Sequence, residues 1–145
     1  MEILPYNWLL TIHIGSFIVT ILTVIIADLH ALAWWRGWLA TLPGGRMSRL
    51  HQVITVGLGV SILSGALLFW PLREYLLTVP SFYTKMVFVA ALCVNAVYIH
   101  RHVQVASEQR FAELTAAKRW PLFLSGAVSI ISWVTVFVMA RQLGL

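Results

Sequence analysis

Apolar residues run in four long stretches along the chain: Trp8 to about Leu32, Leu50 to Trp70, Phe82 to about Ile99, and Leu122 to Ala140. Each is long enough to cross about 30 Å of hydrocarbon at about 1.5 Å per helical residue. Helix-interrupting residues separate them: Leu42-Pro43-Gly44-Gly45, then Pro71 and Pro80, then Pro121 in the expected first turn of the fourth helix. The pattern predicts an all-α fold, a four-helix transmembrane bundle running up-down-up-down. It forms one integral membrane domain, 1–145, with helices about 8–32, 50–70, 82–99 and 122–140. There is no convincing internal repeat and no low-complexity tract.

Polar positions inside the runs are few and ordered. On the first helix His13, Ser16, Thr20, Thr23, Ala27 and His30 recur at alternating steps of three and four, which draws one stripe predicted to face the bundle. The second helix offers Gly57, Ser61 and Gly65 at four-residue spacing, and the fourth offers Ser125, Ser129 and Ser132. Lipid tails are as apolar as leucine, so helices associate in membranes through small residues that let backbones approach. These two sets are predicted packing seams. Asn95, deep in the third helix, is expected to hydrogen-bond across helices.

Composition sharpens the class. Hydrophobic residues make up 60% of the chain and charged residues 10%, with a mean hydropathy of +0.86, whereas a soluble domain carries about 25% charged residues. The formal charge of +5 points away from nucleic acid, because the basic residues flank apolar spans. Arg36, Arg46, Arg49, Arg101, Arg110, Lys118 and Arg119 fall on the first and third connections, against Arg73, Lys85 and Arg141 on the opposite side. The positive-inside rule then predicts both termini outside the cytoplasm of a multi-pass membrane protein. Aromatic residues mark two belts, Tyr6, Trp8, Trp70, Tyr75 and Tyr83 at one face and Trp34, Trp35, Trp38 and Trp120 at the other. With Glu2 in place of a basic leader, the first helix is expected to be retained. Cys93 is the single cysteine, which excludes a disulfide framework and a thiolate zinc cage.

Ionisable groups inside spans are costly and by default functional candidates; here they are His13, Asp28, His30, His51, Lys85, His100 and His102. Counted by depth they form two levels. Asp28, His30, His51 and His100 share the inner one, with His102 just beyond, and three helices there present imidazoles, the usual haem ligand in helical bundles. His51 with His30 or His100 makes the best-levelled pair. The outer level holds His13, Lys85, Met86 and Met139, where a histidine with thioethers suits copper or a His/Met haem. The plainer readings are histidines bonded to headgroup water or carbonyls, methionines as core filler, and Lys85 snorkelling to headgroups. No phosphate-cradling glycine loop, His-Glu-x-x-His helix or dense carboxylate set is present.

Thr11-Ile12-His13, the segment Arg49 to Phe69 with Ser64-Gly65, and Phe82-Tyr83-Thr84-Lys85-Met86 resemble the copper-resistance D-type domain and the haem-binding protoporphyrinogen oxidases of bacteria. The resemblance spans roughly the first 105 residues. The oxidase resemblance implies haem b and functional roles for His13 and Lys85; the copper domain carries over Lys85 and the helix pattern. Three expectations follow: a haem-binding membrane redox protein, b-type cytochrome-like or protoporphyrinogen oxidase-like; a handler of copper or another metal ion; or a cofactor-free accessory subunit. The expected partners are the lipid bilayer and membrane subunits or further copies of the chain.

Overall fold

Inside hydrocarbon every backbone N–H and C=O needs a partner within the chain, and an apolar stretch satisfies them by coiling into a helix. The computed structural model describes the backbone of residues 4–142 and the side chains of 7–142. It contains α1 (Leu4–Trp35), α2 (Gly44–Leu76), α3 (Pro80–Glu108) and α4 (Ala116–Gln142), with one 3-10 turn at Phe111–Glu113 before α4. All four helices are long and apolar enough to cross a membrane. No strand occurs among the described residues. The chain is a four-helix membrane bundle in which successive helices run antiparallel.

The helices outrun the apolar stretches. Gly44 and Gly45 open α2, because the Pro43 carbonyl accepts from the Arg46 and Met47 amides, at 2.9 Å each. Pro71 lies inside α2 and Pro121 inside α4, where connections or a first turn were expected. A proline removes one ladder hydrogen bond, but transmembrane helices tolerate this where continuity keeps the neighbouring backbone groups paired. Pro80, expected in the connection, instead begins α3 after an extended Val79, two residues ahead of the predicted start. Gly37, at φ +78°, follows α1 in the left-handed conformation that glycine adopts without strain.

α1 packs chiefly along α2 and α3 along α4, while α2 and α3 share a narrower contact. Mid-bundle, Val24, Leu58, Leu92, Trp133 and Val136 join all four helices in one core cluster, and Phe17 meets Trp133 with ring centroids 5.4 Å apart. A second cluster closes the end bearing the first and third connections, hereafter the basic end. There the Trp34 indole donates to the Gln109 carbonyl at 3.1 Å, and the Leu42 amide donates to the Ala106 carbonyl at 3.0 Å. Phe111 packs edge-on against Trp34 and beneath the Arg119 guanidinium.

Trp34 therefore leaves the aromatic belt to which its position in the sequence assigned it. It is 4% exposed, whereas Trp38 and Trp120 at the same end are 75% and 72% exposed. An indole with an acceptor inside the protein has no reason to seek the interface. Trp8, Trp70, Tyr75 and Tyr83 remain exposed at the other end; Tyr6 lies outside the described side chains.

Candidate histidine sites

The polar stripe of α1 lies against the small-residue seam of α2 in antiparallel register. Thr20 and Thr23 are buried, and His13, Ser16 and His30 are half-buried. Thr20 and Thr23 donate back to the Ser16 and Val19 carbonyls at 2.6 and 2.7 Å, which removes their hydroxyls from competition with lipid. Ser16 and Ser61 face each other at 2.8 Å, and His13 reaches Ser64 at 3.0 Å. Steps of three and four up α1 are matched by equal steps down α2.

Glycines set this spacing. A Cβ on Gly57 would collide with the Thr20 hydroxyl, and one on Gly65 would sit 3.1 Å from Cε1 of the His13 ring. Gly65 is the floor on which the imidazole lies. Its significance is legible only once the register is known, because four-residue spacing by itself marks any small-residue seam.

The hydrogen-bond network assigns the His13 tautomer. Ser64 Oγ has one proton, and the hydroxyl donates it to the Val60 carbonyl at 2.6 Å. Its contact with His13 Nδ1 must then be an N–H donated by the imidazole, so the lone pair of the neutral ring is on Nε2. The Ser61 carbonyl lies beside the same ring, and the Lys85 ammonium, half-buried at the start of α3, is within electrostatic reach of it. His13 and Lys85, the two residues implied by the family resemblance, thus lie within electrostatic range of each other on different helices.

At the basic end the same tautomer recurs by a shorter route. His30 Nδ1 bonds the Ile26 carbonyl at 2.7 Å, His51 Nδ1 the Met47 carbonyl at 2.9 Å, and His102 Nδ1 the Tyr98 carbonyl at 2.9 Å. A carbonyl only accepts, so each Nδ1 carries the proton and each Nε2 keeps its lone pair. Arg46 Nη1 points at His30 Nε2 from 3.4 Å. His30 is therefore level with Arg46, little more than one turn of α2 from His51.

The remaining candidates are more scattered. His100 is exposed and has no such anchor, while His102, two residues on, is half-buried with its ring 4.5 Å from that of Tyr98. Met86 is 48% exposed and turned from the interior; Met139 is half-buried on α4. Asp28 is half-buried on the α1 stripe that continues Phe17, Ile21 and Val24. Asn95 donates to the Ser125 carbonyl at 3.1 Å, the interhelical bond its depth predicts. Among the described residues no three His, Cys, Asp or Glu side chains converge as a metal cage. The histidines instead present their Nε2 atoms singly, at separate places on α1, α2 and α3.

Comparison with known proteins adds no further constraint: no family model, curated protein or solved structure matches the chain.

Proposed function

We propose that the chain is a haem-binding membrane redox protein, b-type cytochrome-like or protoporphyrinogen oxidase-like, with axial ligands drawn from His13, His30, His51 and His100. One observation carries the reading: His13 and His51 each have Nδ1 held by an acceptor of the protein and Nε2 left as a free lone pair, while His30 is anchored in the same way with its Nε2 turned to Arg46. Metal-ligating histidines are typically anchored in this way through their second nitrogen, which fixes tautomer and ring direction before metal arrives. The donor chemistry thus fits haem b, which when bound supplies a one-electron couple. The protein's own part is to hold the rings, exclude water from them and surround them with apolar side chains.

His51 and His30 are the candidates at the basic end, with His51 about one turn nearer the middle of the bundle than His30. His13 is the candidate at the other level, where Ser64 orients the ring, Gly65 makes room for it and Lys85 adds positive charge nearby. That charge favours an anionic group, such as a porphyrin propionate, over a bare copper cation. Copper handling through His13, Met86 and Met139 is the alternative, and a cofactor-free accessory role is the third. The Lys and Arg distribution supports placing the basic end in the cytoplasm and both termini outside it, and the family resemblance points to a bacterial inner membrane.

A visible spectrum of the detergent-purified protein tests the proposal. A Soret band is expected, lost or shifted in at least one alanine variant of His13, His30, His51 or His100 and unchanged in His102→Ala. Absence of haem in the wild type would defeat it, and stoichiometric copper in that preparation would favour the alternative. Orientation is tested by impermeant thiol labelling of single cysteines in a Cys93→Ser background. Leu77→Cys should react from outside intact cells and Glu108→Cys should not; the reverse result would invert the topology.

A further inference from the structure

The seam between the two hairpins, where α2 meets α3, is fixed by a contact at each end. At the outer end the Phe69 and Phe82 rings stack with centroids 5.4 Å apart and planes 11° from parallel. At the basic end a Cβ on Gly44 would lie 3.3 Å from Cβ of Ser107. Both contacts keep one antiparallel register, because Gly44 is as many residues from Phe69 along α2 as Ser107 is from Phe82 along α3.

In that register His51 is level with His100. Each lies 18 residues inward from its stacked phenylalanine. Eighteen residues make about five whole turns at about 3.6 residues per turn, so each histidine leaves its helix on the side that carries the stacked ring. The other end agrees: each is 7 residues, just under two turns, from the Gly44 and Ser107 contact. The adjacent arginines do not share this direction. Arg49 and Arg101 are exposed, and their places on the helices turn them from the seam by about 200° and about 100°.

The two imidazoles are prepared differently. His51 is half-buried, and its Nδ1–H donates to the Met47 carbonyl at 2.9 Å, which leaves an Nε2 lone pair of set direction. His100 is exposed and has no hydrogen-bond partner among the described residues, so its ring is free to turn towards a shared ligand.

We propose that His51 and His100 together bind one borderline divalent cation, such as zinc or nickel, between α2 and α3, with water from the basic end completing its shell. Imidazole nitrogen suits these ions. The seam is in contact on both sides of the pair, a separation for a bare ion and not for a macrocycle between the rings. The haem ligands proposed above then narrow to His13 and His30. The ion ties the first hairpin to the second across a contact that is otherwise narrow.

Zinc titration of the chelator-washed protein in detergent, by calorimetry and thermal unfolding, tests this. One Zn2+ per chain is expected, with a raised thermal midpoint. His51→Ala and His100→Ala should each weaken binding about tenfold or more, since loss of an outer partner alone costs that much, and each should remove the rise in midpoint. The double variant should bind little worse than either single one, because both rings serve one ion; His102→Ala should bind as the wild type does. Absence of zinc binding, or binding that His100→Ala leaves unchanged, would overturn the proposal. Haem is read separately in the same preparation: a Soret band shifted by zinc would return His51 to the haem and overturn the ion site, whereas absence of any Soret band would leave it standing.

Discussion

The two helix pairs solve the same problem by different chemistry. Along α1–α2 the contact is thin and polar, with hydroxyls facing hydroxyls and an imidazole lying on a glycine. Along α3–α4 it is thicker: Leu92, Trp133 and Val136 fill the gap, Ser125 and Ser132 are buried beside them, and one Asn95 bond crosses. Glycine shows the contrast best. Gly57 and Gly65 on α2 are points of closest approach, whereas Gly126 on α4 has nothing within 4 Å of its potential Cβ. Close backbone approach admits short hydroxyl and imidazole side chains between helices, and these carry chemistry. The gap filled by an indole is mostly bulk, crossed by the single Asn95 bond.

Breaking the bulky side should cost most. Trp133→Ala is expected to destabilise the protein by about 3 kcal/mol, the low end of the range for soluble cores, because the transfer contribution falls away when the surroundings are lipid. Unfolding in mixed detergent micelles gives the value, and a loss under about 1 kcal/mol would show that the bundle collapses around the cavity. Gly57→Val comes next, at about 1–3 kcal/mol, from overpacking against Thr20. It should be partly rescued by Thr20→Ala in the same protein; rescue absent from the double variant would separate the two residues. Gly126→Ala should change stability least, within about 1 kcal/mol and towards stabilisation, since only helix propensity is altered. A marked loss there would mean that α4 packs on a partner at that face.

The sequence carried the helices, the α1 stripe and the α2 seam because all three are periodic, and a period of 3.6 is readable without coordinates. Asn95 was legible from depth. Helix ends were not: Pro71 and Pro121 signal interruption locally, yet unpaired backbone costs more in lipid than one missing ladder bond. Ser64 also escaped as the partner of His13, because pairing depends on the rotation of α2 about its axis, which no single helix records. Rotation likewise sorts His100 from His102. Two residues apart on a helix they point almost oppositely, and the structure turns His102 inward with Tyr98 and leaves His100 outside.

The latch at the basic end has a consequence measured in seconds. The Trp34 indole is bonded to the carbonyl of a residue 75 positions later in the chain, and the Leu42 amide awaits Ala106 in the same way. Synthesis at about 5–20 residues per second makes those acceptors roughly 3 to 15 s after their donors. For that interval the first hairpin stands in the membrane with its polar zip closed and its basic end undone. The second hairpin completes it on arrival.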